Sequence, residues 1–194
     1  MRIKLQYLLY GIFAMLVFSC STDLIGELQD GKKYTVRQGG DDFIPSPFPL
    51  QLQAKSASGW AMFHTSCWYD NLGVDNQDWN KLAGFYRWWD IYKDKNSFIL
   101  AWRPDPLRDV FQLCLYENID GANVPKESAI YKVKSSEKFT FDFQFVDGKY
   151  RLWVNSTLLG EQANDRKYRT VGKISAWFGG NRKAPWKMWL YMNF

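Results

Sequence analysis

Apolar and polar residues alternate along much of the chain after residue 48. In the clearest run, Lys138 to Val146, phenylalanines occupy every second position and mostly polar residues lie between them. Successive side chains of a β-strand point to opposite faces, so one face of this strand is predicted to lie in a core and the other in water. Asp147-Gly148 follows directly and predicts a tight turn into a second strand, Lys149 to Val154.

Similar period-two segments recur every 10 to 15 residues up to the C-terminus, and only a short helical turn around residues 78–85 interrupts them. Many antiparallel strands without alternating helices bury their apolar faces against each other. The chain is therefore predicted to be all-β, an antiparallel two-sheet β-sandwich. The further residues predicted to face the core are Phe98, Leu100, Trp102, Phe111, Leu113, Leu115, Ile174, Ala176, Phe178, Met188, Leu190 and Met192.

Two resemblances add to this prediction. The phenylalanine run, the Asp147-Gly148 turn and the segment from Lys149 to Asn155 resemble a hairpin of concanavalin-like jelly rolls, the lectin and glucanase group, which implies a jelly-roll fold. The segments Trp79 to Gly84 and Trp177 to Asn181 are similar to a group of bacterial lipoproteins, many from Bacteroidetes. That group brings no established activity with it, so it bears on compartment and fold.

The first residues are typical of an export signal. Arg2 and Lys4 precede an apolar run over residues 8–18, and Ser19 stands directly before Cys20. The run is about half of the roughly 20 residues that a spanning helix needs. A small residue before a cysteine resembles the bacterial lipobox, which implies that Cys20 is lipidated. Cleavage by an ordinary signal peptidase and a retained helix are the alternatives.

The same segment predicts how the chain is divided and where it is located. Residues 1–19 are predicted to be a signal peptide, residues 20–47 a lipidated cysteine with a tether that holds at most one edge strand, and residues 48–194 the β-sandwich domain. Ser21 is not the Asp that resembles an inner-membrane retention signal. We therefore expect a lipid-anchored protein of the bacterial cell envelope, at the outer membrane.

Charge and cysteine content refine the picture. Removing the signal peptide takes away Arg2 and Lys4 and lowers the formal charge from +5 to about +3, which is too mild to imply nucleic acid as a partner. With Cys20 lipidated, Cys67 and Cys114 remain. In an oxidising envelope they are predicted to form a disulfide, the alternative being two separate buried thiols.

Few residue patterns support catalysis, and no catalytic residue is assigned. His64 is the single imidazole and no nucleophile motif accompanies it, while one His and two Cys without ligand spacing do not predict a zinc site or any other metal site. No cofactor-binding loop is present, and the oxygen-rich segment over residues 70–80 is interpreted as turn-forming. A polysaccharide lyase stays open, because His64, Arg103 and many tyrosines provide its residue types.

Aromatic residues make up 18% of the chain, and their positions suggest a binding surface. Strand parity places several of them opposite the core faces, where they alternate with residues that form hydrogen bonds. If these strands share a sheet, their rings form a floor for sugar rings; if loops cover the face, they form a second core. The predicted binding residues are Trp153, Trp177, Gln144, Arg151, Arg103 and Tyr116.

We therefore expect a lipoprotein that binds carbohydrate or cell-surface glycan without catalysis, with no cofactor. The first alternative is a structural subunit of an envelope assembly, in which the aromatic face contacts another protein. The second alternative is a polysaccharide lyase. The shape of the aromatic face distinguishes them, since an open groove favours glycan and a flat apolar patch favours a protein partner.

Overall fold

Two antiparallel β-sheets pack face to face in the computed structural model, which describes residues 31–45, 50–52, 56–87, 90, 92, 95–163 and 170–194. The predicted signal peptide and Cys20 lie outside the described residues. Residues 33–194 form one compact unit. The strands are β1 (Lys32–Val36), β2 (Leu50–Leu52), β3 (Ser56–Phe63), β4 (Asn80–Arg87), β5 (Ser97–Pro104), β6 (Val110–Ile119), β7 (Ala122–Pro125), β8 (Tyr131–Lys134), β9 (Lys138–Val146), β10 (Lys149–Val154), β11 (Thr157–Ala163), β12 (Thr170–Ile174) and β13 (Met188–Asn193).

The strands are divided between two sheets. In sheet A the order among the described strands is β1-β13-β3-β9-β10-β11. In sheet B it is β2-β12-β4-β5-β6-β7, and β8 also pairs with β6. Short 3-10 helices at Thr65–Cys67 and Gly73–Gln77 connect β3 in sheet A to β4 in sheet B. The prediction of an all-β, two-sheet antiparallel sandwich is confirmed.

The predicted hairpin is present. β9 and β10 pair from Val146 opposite Lys149 to Phe141 opposite Val154. Asp147 and Gly148 both have positive φ, 52° and 73°, which is the geometry of the turn that matches the twist of antiparallel strands. Because each strand alternates, this pairing places the phenylalanine side chains of β9 and the apolar residues of β10 on one face.

The core lies between the sheets and is rich in aromatic rings. Phe63 of sheet A contacts Trp102 and Phe111 of sheet B, with ring centroids 5.0 and 4.5 Å apart. Burying each such side chain stabilises the fold by roughly 1.5 to 3 kcal/mol. The predicted inward positions on β5, β6, β9 and β13 are confirmed, except that Phe145 at the end of β9 is 36% exposed.

Three local predictions are wrong. Residues 80–87 form strand β4 instead of a helical turn, because apolar residues cover both of its faces and the run is buried throughout. The domain begins before residue 48, since Tyr34 and Val36 of β1 and Phe43 are buried in the core. Ile174 belongs to a cluster on the outer face of sheet B and not to the core between the sheets.

The predicted disulfide between Cys67 and Cys114 is also wrong. Both thiols are free and buried. Cys67 lies in the core between the sheets, where its Sγ donates a hydrogen bond to the carbonyl oxygen of Trp189 at 3.0 Å. Cys114 lies on the outer face of sheet B. The sheet separates the two side chains, and burial raises the pKa of both thiols.

We therefore predict two free thiols in protein purified without reductant. A Cys20→Ala chain that is denatured and alkylated should gain the mass of two alkyl groups. In the folded state alkylation should be slow, because a buried thiol is neither accessible nor ionised. Intact-mass spectrometry makes the measurement, and a chain that takes up no alkyl group until it is reduced would contradict the structure.

Within the described residues, no helix is long and apolar enough to span a membrane.

Candidate functional site

A cleft of about 600 Å³ lies on the outer face of sheet B and is called the cleft below. Its floor is formed by the start of β4 and by Tyr116 of β6. Trp177 joins this floor by pairing with Lys81 through two backbone hydrogen bonds of 3.0 Å. The loop after Trp177 forms one wall. The residues that line the cleft are Asp41, Gln77, Asp78, Trp79, Lys81, Tyr116, Asn118, Asn123, Pro125, Trp177, Phe178, Gly179, Gly180, Asn181, Arg182 and Lys183.

Lys81 lies among aromatic rings at the bottom of the cleft. Its ammonium is 4.5 Å from the ring centre of Tyr116 and 5.7 Å from that of Trp177, and it donates a hydrogen bond to the carbonyl oxygen of Trp79 at 2.8 Å. Cation–π contacts of this kind hold a charge at a ring face. A Cβ on Gly179 would lie 3.0 Å from Nζ of Lys81, so a larger residue there would press on the end of the lysine side chain.

The wall formed by residues 178–183 is held by side chains from the segment before β4. Asp78 accepts a hydrogen bond from the backbone N–H of Asn181 at 3.1 Å. Gly180 has φ of +104°, and a Cβ there would lie 2.3 Å from Oδ2 of Asp78, so glycine is needed on both counts. At the rim, Arg182 pairs with Asp75 at 2.9 Å. The wall is therefore fixed before any ligand binds.

Arg103 supports the cleft from beneath Trp79. Its guanidinium lies 4.2 Å from the ring centre of Trp79. Glu127 accepts hydrogen bonds from both residues, 2.8 Å from the indole nitrogen of Trp79 and 3.0 Å from Arg103. Arg103 also donates to Gln112 at 2.8 Å. Arg103 and Glu127 together orient the ring of Trp79. The charge of the Arg103 guanidinium is paired with the carboxylate of Glu127.

The acidic group next to this network remains ionised. Asp105 is buried, which acts to raise the pKa of its carboxyl, but hydrogen bonds from Lys132 and Gln112 outweigh this and lower the pKa overall. The contacts are short, 2.7 Å to each partner. Gln112 thus joins Asp105 to Arg103, and the guanidinium of Arg103 packs against the ring of Trp79 in the cleft.

The outer face of sheet B is partly packed, as one of the two sequence interpretations expected. Tyr116 and Trp79 are 7% and 5% exposed and pack with Ile99, Ala101 and Cys114. Trp177 is half-buried and packs against the same cluster. The rings therefore form both a second core and the floor of an open cleft.

The structure does not bring all the predicted binding residues together. Tyr116, Trp177 and Arg103 belong to the outer face of sheet B, whereas Trp153, Gln144 and Arg151 lie on the outer face of sheet A. The prediction that these residues form one floor is therefore wrong. Strands β9 and β10 belong to sheet A, whereas β6 belongs to sheet B and Trp177 pairs with Lys81 of that sheet. Arg151 forms an ion pair with Glu161 at 3.1 Å.

His64 is not among the residues that line this cleft. It follows β3 at the end of sheet A, where its ring stacks on Trp189 with centroids 3.8 Å apart and accepts a hydrogen bond from the backbone of Ser66. Burial lowers the pKa of His64, and the charge of Lys33 lowers it further. His64 thus follows a strand of sheet A, whereas Arg103, the other residue named for a lyase, lies on β5 of sheet B.

Asparagine side chains of the oxygen-rich segment over residues 70–80 form hydrogen bonds within the protein. Asn76 accepts a hydrogen bond from the backbone of Leu72 and donates to the carbonyl of Asp70. Asn80 donates to Tyr69 at 2.8 Å and accepts from the backbone N–H of Gly179 at 2.9 Å. In the part of the chain that the structure describes, no cluster of His, Cys, Asp or Glu could hold a metal ion.

Sequence reasoning missed Trp79 and Lys81, the residues that begin the floor. Both were assigned to a segment expected to turn helically, and a register shift between Lys81 and Ala83 breaks the alternation there. The available indication was Trp79 itself, which stands shortly before the apolar run that begins at Leu82. Asn118 and Asn123, which pair across β6 and β7 at the edge of the cleft, were missed as well.

Comparisons with known proteins show the fold. No protein-family model and no curated protein sequence matches the chain. Alginate lyase AlyC3 in complex with dimannuronate is 9% identical, with a TM-score of 0.50 over 86% of this chain and 73% of that one. A double-cysteine variant of alginate lyase A1-II′ is 11% identical, with a TM-score of 0.50 over 84% of this chain and 77% of that one.

The carbohydrate-binding module CBM66 from Bacillus subtilis is also similar, at 12% identity and a TM-score of 0.39 over 82% of each chain. At such low identities the likeness to the two lyases concerns the fold alone. The chain is a jelly-roll β-sandwich, in agreement with the concanavalin-like resemblance of its hairpin.

Proposed function

We propose that this protein binds carbohydrate in the cleft on the outer face of sheet B, without catalysis. The observation that carries the proposal is the combination of an open hollow of about 600 Å³ with the rings of Trp177 and Tyr116 close to the Lys81 ammonium. The jelly-roll fold shared with alginate lyases is in keeping with this proposal.

The chemistry of the lining suits sugars. Sugar rings have apolar C–H faces that pack on aromatic rings and a rim of hydroxyls that form hydrogen bonds. Trp177 provides the half-buried ring, while Asn118, Asn123 and Asn181 provide amide donors and acceptors around it. Lys81 adds a cationic donor at the floor, which suits a ligand that presents an oxygen acceptor there.

The positions of the polar groups support binding over catalysis. An elimination reaction needs a base and a cation close to the same substrate carbon. The two residues that the sequence named for this chemistry, His64 and Arg103, do not line the cleft, and the charge of Arg103 is paired with Glu127. The first experiment is a glycan array probed with the full chain in detergent, on which binding to at least one oligosaccharide class is expected. Binding to no glycan would contradict the proposal and leave an envelope protein as the partner.

The same array should be followed by an assay for cleavage, since the fold is also that of alginate lyases. Bound oligosaccharides recovered after overnight incubation are expected to keep their length when they are separated by mass. A shortened product that carries a new double bond would instead identify the protein as a lyase.

We also propose that the protein is anchored at the bacterial outer membrane by lipid on Cys20. The support is in the sequence: a short apolar run after Arg2 and Lys4 that ends at Ser19-Cys20. The residues from Ser21 to the first described strand are then long enough to act as a tether. Two acyl chains hold a protein on a membrane stably, whereas one chain gives only marginal binding.

Cys20→Ala should abolish lipidation, because the acyl chain is attached through the cysteine sulfur. Cells are grown with an alkyne-tagged fatty acid, and the protein is isolated and coupled to a fluorophore. We expect the wild-type chain to be labelled and the variant to be unlabelled, with most of the variant released from the membrane fraction. Equal labelling of both chains would show that the anchor is elsewhere.

A further inference from the structure

A second hollow lies on the outer face of sheet A, on the other side of the sandwich from the cleft. This groove has a volume of about 500 Å³. Its centre is a row of residues that pair across three neighbouring strands: Ser58 of β3, Asp142 of β9 and Trp153 of β10. The residues that line it are Ser58, Gly59, Thr140, Phe141, Asp142, Gln144, Trp153, Asn155 and Ser156.

The groove has the opposite charge from the cleft. Asp142 is the one charged residue among its lining residues, and its carboxylate accepts hydrogen bonds from Ser58 at 2.9 Å and from Gln144. Arg151, the nearest basic residue in the pairing of β9 and β10, forms its ion pair with Glu161. A carboxylate without a cation beside it repels anionic ligands and accepts hydrogen bonds from hydroxyl groups.

Trp153 provides the aromatic ring of the groove. The side chain is half-buried, so part of its ring faces the groove, while its indole Nε1 is buried away from solvent. An aromatic ring that is partly open to solvent offers a flat apolar surface on which a sugar ring packs. Asn155 borders the same groove and is held by its contacts to Thr140, at 2.8 Å from the backbone N–H.

We propose that this groove is a second carbohydrate site, which takes a neutral oligosaccharide. One sugar ring packs on Trp153, and its hydroxyls donate to Asp142 and accept from Gln144. The groove and the cleft lie on the outer faces of different sheets, so both can be filled at once. The protein then holds two glycan segments, a neutral one at Asp142 and one that presents an oxygen acceptor to Lys81.

The test measures groove binding in a chain whose cleft is weakened. Full-length chain carrying Trp177→Ala is titrated calorimetrically, in detergent, with neutral gluco-, manno- and xylo-hexasaccharides and with a hexamer of uronate residues. At least one neutral hexasaccharide should bind and the uronate hexamer should not. Adding Trp153→Ala should weaken the neutral interaction by about tenfold or more. A protein whose cleft binds nothing leaves these results unchanged, so the two proposals fail separately.

Trp189→Ala is the matched control, because Trp189 lies on the same outer face but does not line the groove. Added to the Trp177→Ala chain, Trp189→Ala should change the affinity for the neutral hexasaccharide by less than about twofold. If Trp153→Ala does not fold, Trp153→Phe keeps a smaller ring and should bind about threefold or more weakly, because less ring surface packs on the sugar. The proposal is overturned if no neutral hexasaccharide binds, or if the affinity is independent of the residue at position 153.

Discussion

Trp177→Ala is expected to weaken oligosaccharide binding at the cleft by about tenfold or more. Trp177 is the most exposed of the rings at the floor, and truncating a central aromatic contact costs on the order of 1 to 3 kcal/mol of binding free energy. The variant also removes one of the rings that lie close to the Lys81 ammonium. Calorimetric titration with an oligosaccharide found on the array measures the change.

Two controls separate lost contact from lost structure. Trp189→Ala removes the same type of side chain from sheet A and should leave this affinity unchanged. Because Trp177 is half-buried and its strand contacts are made by the backbone, its truncation should leave the protein folded, with a melting temperature only a few degrees lower. A folded Trp177→Ala variant that binds as tightly as the wild-type chain would contradict the assignment of the cleft.

Trp102→Ala is expected to lower the free energy of unfolding by about 3 to 5 kcal/mol. Trp102 is fully buried between the sheets and packs against Phe63, Phe111 and Tyr69. Its removal leaves a cavity in the middle of an aromatic cluster whose rings belong to both sheets. Urea unfolding followed by the remaining tryptophan fluorescence measures the difference from the shift in the midpoint.

Tyr191→Ala is the matched comparison for stability, since Tyr191 is half-buried on the outer face of sheet A. It should cost clearly less than Trp102→Ala. Trp102→Phe should fall between them, because it keeps most of the ring and removes a buried indole N–H that has no partner among the described residues. A cost below about 1 kcal/mol for Trp102→Ala would show that the sheets do not pack through this residue.

The strand faces could be predicted because polar residues mark the outer side of most strands. On β9, Lys138, Thr140, Asp142 and Gln144 alternate with buried phenylalanines, so a shift of one residue would bury charge. Strand β4 shows no such alternation of polar and apolar residues. Asn80 and Lys81 are themselves buried at its start and apolar residues cover both faces, so its strand character depends on β5 and β12 beside it.

The assignment of strands to sheets could not be predicted in the same way. Alternation shows that Trp153 and Trp177 point away from a core, but each sheet has its own outer face. Which face a ring occupies depends on long-range pairing, such as Trp177 with Lys81, and no local pattern encodes that pairing. The same limit explains the disulfide prediction, since Cys67 and Cys114 are both buried yet lie on different sides of sheet B.

The composition of residues 31–49 explains why the domain was predicted to begin only at residue 48. Glycine and proline are frequent between residues 31 and 49, which is typical of a tether. However, Tyr34, Val36 and Phe43 are buried, and the backbone of Thr35 and Ile44 forms two hydrogen bonds of 2.8 Å. Few apolar residues are enough for a strand at a sheet edge when β13 provides the pairing partner.

The most direct test of glycan binding in the cleft is an NMR titration that observes the tryptophan indole N–H groups of the protein. An oligosaccharide selected on the array is added, and each signal is assigned by single Trp→Phe substitution. We predict that the signals of Trp177 and Trp79 shift together and saturate at one dissociation constant. If the oligosaccharide saturates the protein while both signals stay in place, it binds elsewhere and the cleft is not the site.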